Sequence, residues 1–489
     1  MKTIISIILF SSFAFSIPMN AQVKNMQEEY EKFKKGAETE YGNFRKKANE
    51  DYVAFMKKAW EEFMASAPVP KPKDEPVEPI EIPIEEEEKP IEDNEIPVVA
   101  IVPEPEPIPQ PKPIEPIKEQ PVVEETTFSF SLYGTSMKVR WDDSMKFSLG
   151  AYDENSIAAG WEKLATPTYD NLIRDCLVLR MSHNLCDWAY LSMLKEFSQS
   201  VLGKGTNEAT LLTAYLYCSS GYKMRLGQTE GKLYLLYNSD YFVFERLYFS
   251  INDQFFYPLD FDGQKLSICN IAYPKEQGLS FEIRQSPALE MIETDKRTLT
   301  SERYKDVSVT LSSNKNLIDF FNKYPSAQVN QDFMTRWAIC ANTPMSDQIK
   351  NNLYPQLKTC IQGLTPKDAV ERLLNWVQTA FVYEYDDKVW GGDRAFFSDE
   401  TLYYPYCDCE DRGILLTRIV RDLLNLDCAL IYYPGHIATA IALDDTVKGD
   451  YILINNKRFV VCDPTYIGAS IGVTMPDMDN KSATVVVLK

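Results

Sequence analysis

The distribution of proline divides this chain before any other feature does. Sixteen of its 29 prolines fall between residues 66 and 125, in runs such as EPEPIPQPKPIEPI. Proline lacks a backbone donor and fixes φ, so proline at this density blocks helix and sheet pairing and favours an extended polyproline conformation. The same segment carries 17 Asp/Glu against 5 Lys/Arg, and like charges stretch it further. Residues 66–125 are therefore expected to be a disordered, stiff spacer in front of a folded body.

Charge follows the same division. The 489 residues have a formal net charge of -20, and the spacer accounts for most of it. Clustered Lys and Arg, which phosphate binding requires, are missing, so nucleic acid is not an expected partner. Residues 1–21 read as an export signal: Lys2, an apolar run from Ile4 to Ile17, and a cut after Ala21. The run is too short to span a bilayer and no cysteine lies near the cut. The expectation is a secreted or periplasmic protein that is not transmembrane.

Residues 22–65 are expected to form one amphipathic helix. Within them EYEKFKKGAET, EYGNFRKKANE and DYVAFMKKAWE repeat with a period of eleven, which keeps Tyr30, Tyr41, Tyr52 and Phe63 in phase. Eleven residues make nearly three helical turns, so the aromatic residues form one stripe. Such a stripe needs cover. It serves self-association or partner docking, or it packs on the chain's own body.

From Thr126 onward the pattern is mixed α and β. Leucine-rich helical spacing over 170–200 is followed by strand-like runs at Leu233–Tyr237, Tyr241–Phe249 and Gln254–Leu259, and a second helix-then-strand series begins near Thr365. The ten cysteines are too sparse for a disulfide scaffold, and no metal-ligand spacing or cofactor motif is present, so neither metal nor cofactor is assigned.

Chemistry concentrates at 396–466. Cys409 directly precedes a periodic apolar helix, where free backbone N–H groups and the helix dipole favour thiolate. His436 opens the alternating strand in YYPGHIATAIAL, and Asp463 ends the strand in RFVVCDPTY. A nucleophilic thiol needs a base, and the base needs an orienting carboxylate. The chain has only two histidines; His183 lies in a leucine-rich helix and reads as structural, which leaves His436 as the base.

Asp408-Cys409-Glu410-Asp411, His436 and Asp463-Pro464-Thr465, in that order, resemble the transglutaminase-like superfamily, particularly bacterial transglutaminase-like cysteine peptidases. The resemblance covers residues 360–470 and extends to Glu400-Thr401-Leu402 upstream. Cys407 stands where the family has glycine. The resemblance implies a papain/transglutaminase-like α+β core, with the cysteine helix packed on an antiparallel sheet. It also implies a thioester on Cys409, proton transfer by His436 and orientation by Asp463. The Cys409 N–H would form half an oxyanion hole, with Trp376, Trp390 or Tyr404 as the second donor.

Residues 205–227 overlay 409–431 at an offset of 204, which aligns Leu211-Leu212-Thr213 with Leu415-Leu416-Thr417. Gly205 then stands at the cysteine position and Lys232 at the histidine position, and Asp260 falls one residue from the match to Asp463. Residues 126–285 are accordingly expected to form a degenerate transglutaminase-like domain, ahead of the triad-bearing domain at 286–489. The expected function is cleavage or transfer of an amide or peptide acyl group on a protein or peptide substrate. The alternative is a catalytically inactive surface or periplasmic binding scaffold on the same fold.

Overall fold

The computed structural model describes residues 42–73, 77–82, 92–104, 106, 108–121, 126–479, 481 and 483–489. The expected export signal and the first part of the eleven-residue repeat lie outside them. The described chain is α+β, built on two large sheets that each carry a buried helix.

In the first half that helix is Asn207–Ser219, started by the Thr206 hydroxyl, which accepts the Ala209 N–H at 3.1 Å. It buries Leu211, Leu212, Tyr215 and Tyr217 completely. The sheet beside it is antiparallel, in the order Glu61–Met64, Lys265–Cys269, Met224–Thr229, Lys232–Asn238, Gln254–Pro258, Phe249–Ile251.

In the second half the helix is Cys409–Leu424. Its sheet runs Asn94–Glu95, Asp450–Ile454, Lys457–Cys462, His436–Ile441, Cys428–Tyr433, Thr484–Val487, Ala100–Val102. The five central strands are antiparallel and the two short outer ones pair in parallel. A Cβ at Gly413 would meet Leu430, Thr439 and Ile437 in ordinary contact at 3.4–3.5 Å, which places this turn of the helix directly against the histidine strand and its neighbour.

The two sheets share a register. All six pairings of the first hairpin, from Met224 with Tyr237 to Thr229 with Lys232, recur 204 residues later, from Cys428 with Ile441 to Tyr433 with His436. The next strand is displaced by one: Tyr237 pairs with Tyr257, and Ile441 with Val460. Asp260 therefore occupies the sheet position of Asp463. One continuous apolar core joins the halves, in part through Tyr133 edge-on to Phe320 at 5.6 Å and Phe281 edge-on to Tyr324 at 5.9 Å.

Two expectations about the N-terminal quarter need correction. The single helix over 22–65 is interrupted: helix covers 42–56, and Glu61–Met64 is a strand pairing with Lys265–Cys269. The Trp60 indole donates to the Met56 carbonyl at 3.0 Å and closes the helix end. A free sheet edge offers hydrogen bonds that helical periodicity does not register. The described turns of the stripe face the chain's own body, with Tyr52 buried against Trp161 at 4.8 Å and Asn49 accepting the Trp161 indole N–H at 3.1 Å.

The segment 66–125 is likewise not a free spacer in its described parts. Asn94–Glu95 and Ala100–Val102 cap opposite edges of the second sheet, and Glu115 and Ile117 are buried. Extended, proline-punctuated chain suits a sheet edge, because one side of an edge strand needs no partner.

Candidate active site

Three elements bring Cys409 and His436 to one cleft and Asp463 against the histidine. Cys409 is the first residue of its helix, His436 is the first residue of its strand, and Asp463 follows the strand Lys457–Cys462. His436 Nε2 lies 2.8 Å from Asp463 Oδ2. A carboxylate only accepts, so Nε2 carries the proton and Nδ1 presents its lone pair. Nδ1 is buried with no hydrogen-bond partner. Cys409 and His436 line the same open cleft of about 650 Å³.

The sequence DPTY holds the carboxylate in place. Asp463 Oδ1 accepts the N–H groups of Thr465 at 2.8 Å and Tyr466 at 3.1 Å, which leaves Oδ2 for the imidazole. Beneath this turn, Gln378 Nε2 donates to the carbonyls of Asp463, Tyr466 and Ala469 at 2.8–3.0 Å. Arg412, wholly buried, donates to the carbonyls of Gln378, Phe381 and Pro464. Arg412 sits one helical turn from Cys409, so a single guanidinium ties the cysteine helix to the aspartate turn. The sequence reading assigned nothing to Gln378 or Arg412; an Arg directly after Cys-Glu-Asp was the available signal.

The thiol itself departs from expectation. Cys409 Sγ donates to Glu410 Oε2 at 3.2 Å, and no bond to the imidazole forms. Burial, then the Glu410 and Asp408 carboxylates, push the thiol well above its ordinary value, and the Ile437 N–H facing the sulfur only partly counters them. Desolvation and adjacent acids outweigh the helix start here.

Further acids crowd the cleft. Oxygens of Asp386, Asp393 and Glu410 lie within 4.8 Å of one another, as do those of Asp386, Asp408 and Asp411. Burial and mutual repulsion push Asp386 up to about 8 and Asp393 up to about 6, and raise Asp408 and Asp411. Oδ1 of Asp408 is buried with no partner. This donor set suits a hard cation or shared protons, a feature that the sequence reading, which assigned no metal, did not foresee.

None of the three expected oxyanion donors lines the cleft. The Trp376 indole donates to the Leu299 carbonyl at 3.1 Å inside the core. Trp390 and Tyr404 pack on one another at 4.8 Å and on Arg394. Trp337 does line the cleft, and its indole N–H is buried without an acceptor.

The remaining predicted residues fall into structural places. Glu400 is buried and paired with Arg394. His183 ends a helix and donates through Nδ1 to the Ala288 carbonyl at 3.0 Å. Cys407 is an extended strand residue opposite Tyr383, so no left-handed backbone there demands glycine. In the first half, Gly205, Lys232 and Asp260 line one pocket, where Lys195 bonds Asp260 at 2.6 Å. No protein-family model, curated protein or solved structure matches this chain.

Proposed function

We propose that this chain is an exported thiol enzyme of the transglutaminase-like type, acting on amide or peptide carbonyls through a thioester on Cys409. The observation that carries the reading is the His436–Asp463 pair, whose hydrogen bond leaves Nδ1 unpartnered on a residue that lines the same cleft as Cys409. Rotation of the Cys409 side chain between staggered wells would take Sγ from Glu410 toward that nitrogen.

In the reaction, Nδ1 takes the thiol proton as sulfur attacks the carbonyl carbon. The oxyanion is met by the Cys409 N–H at the helix start and by the Trp337 indole N–H. As the tetrahedral intermediate collapses, the C–N bond breaks and the leaving amine takes the proton from Nδ1. Water or a second amine then discharges the thioester, again with His436 as base.

The matching hairpin registers, and the matching order of six strands in the two sheets, support an internal duplication. On this reading the first copy has kept Asp260 while glycine and lysine replaced the nucleophile and the base. It serves as scaffold.

The test is the rate of Cys409 alkylation by chloroacetamide, followed by mass spectrometry, in the wild type and in His436→Ala. The ratio of the two rates is the readout, because access to the cleft cancels from it. A ratio of about ten or more supports a working base. A ratio near one assigns the fold to the binding scaffold instead.

A further inference from the structure

Two described parts of the proline-rich segment, residues 66–73 and 77–82, are anchored near the cleft. In the first, Ser66 bridges Tyr248 and the Val69 carbonyl accepts the Glu245 N–H at 2.8 Å. In the second, the Val77 N–H donates to the Gly435 carbonyl at 3.0 Å, next to His436. Ile80 and Ile82 then exchange backbone hydrogen bonds with Ile467 at 2.9 Å, and pack with Val77 on Tyr466, Ala469 and Met475 beyond the aspartate turn. Between these anchors Pro72 and Lys73 form part of the wall that also contains Cys409 and His436. Lys71 donates to the Asp393 carbonyl and Lys73 pairs with Asp387.

The two parts of this strap are held differently. Its ends are fixed by backbone hydrogen bonds and apolar burial. Its middle is held by lysines, and the Lys73–Asp387 pair is largely exposed, the kind of contact that adds little stability. A proline between the lysines needs no donor partner and keeps the backbone extended. The cleft wall carries Asp386, Asp387, Asp393, Asp408 and Glu410, and among the described residues that line it the cations are Lys73 and Arg336.

We propose that this cleft binds extended, lysine-bearing peptide, and that Lys71-Pro72-Lys73 occupies it in cis, closing the site until a substrate of similar character displaces it. The inference rests on the enzymatic reading for the identity of the occupant as a substrate mimic. The binding itself does not depend on turnover. An intramolecular occupant competes with the advantage of its high local concentration, so it suppresses weaker ligands without tight contacts of its own.

The experiment uses the full chain, the double variant Lys71→Gln/Lys73→Gln, and a fluorescent peptide with the sequence of residues 66–73. Anisotropy is expected to give about tenfold tighter peptide binding to the double variant than to the wild type. A peptide with glutamate at both lysine positions should bind neither. Cys409 in the double variant should react with chloroacetamide about fivefold faster or more, and added lysine peptide should slow it again. Both substituted lysines lie on the strap, away from the core, so the fold is retained. Equal alkylation rates in wild type and double variant overturn the proposal, as does equal binding of the two peptides. A His436-independent alkylation rate with intact peptide binding sinks the enzyme and leaves the strap.

Discussion

The Cys409 thiol faces Glu410 Oε2 at 3.2 Å while His436 Nδ1 stands without a partner in the same cleft. The resting thiol is therefore held by a carboxylate and not by the imidazole. Removing the carboxylate's charge should lower the thiol pKa, because the Glu410 charge and its hydrogen bond both favour the protonated sulfur. Glu410→Gln is expected to move the midpoint of the Cys409 alkylation–pH profile downward and to raise the rate at pH 8 several-fold. An unchanged profile would mean that burial alone sets the thiol.

Arg412 and Asp463 should separate by what their loss does. Arg412 donates to three carbonyls, each of which loses a buried donor if it goes. Arg412→Met is expected to lower stability by about 3–5 kcal/mol in denaturant unfolding. Asp463→Ala removes the acceptor that keeps the proton on Nε2. It should cut the alkylation rate about tenfold or more with a smaller loss of stability.

The cysteine helix, the histidine strand and the Asp-Pro turn were legible because each is a local pattern: a periodic run, an alternating run, an acid at a strand end. The sequence match at offset 204 was legible for the same reason, and the hairpin pairings share that offset. The sheet register also explains the misfit at Asp260, since a one-residue displacement of its strand is invisible to a rigid overlay. What sequence could not supply was which surfaces meet. Nothing local to Pro72 and Lys73 reveals that they line the cleft, and nothing local to Glu61–Met64 reveals a free edge at Lys265–Cys269. Trp337 lies 72 residues before Cys409 in an unremarkable helix, so its indole could not be chosen over Trp376 or Trp390.

The acidic cluster predicts a pH dependence with a definite sign. Burial and the Glu410 charge push Asp386 up to about 8 and Asp393 to about 6. Both exceed the unfolded value of about 3.9, so their contribution is complete below about pH 4 and is lost as pH rises through 6 and then 8. The thermal midpoint should fall from pH 5 to pH 9, and Asp386→Asn should flatten that fall. Millimolar calcium at pH 9 should restore part of the loss if the carboxylates accept a cation, whereas sodium at equal ionic strength should not.

Removing the chain before residue 126 should damage the fold. A free spacer could be cut without consequence, but here the cut strips Tyr52, Met56 and Trp60 from the core of the first half. It also removes Glu61–Met64 from one sheet and both outer strands from the other. Losing a buried large side chain typically costs about 3–5 kcal/mol, so several at once exceed much of a domain's margin of about 5–15 kcal/mol. The truncated chain is expected to unfold at lower denaturant concentration and with a broadened transition, read by tryptophan fluorescence. A milder cut that deletes only residues 22–41 provides the control, and it should leave the transition unchanged if cover for the aromatic stripe begins with the turns at Ala48 and Tyr52. Equal midpoints for the full chain and the 126–489 fragment would return the N-terminal quarter to the role of a detached stalk.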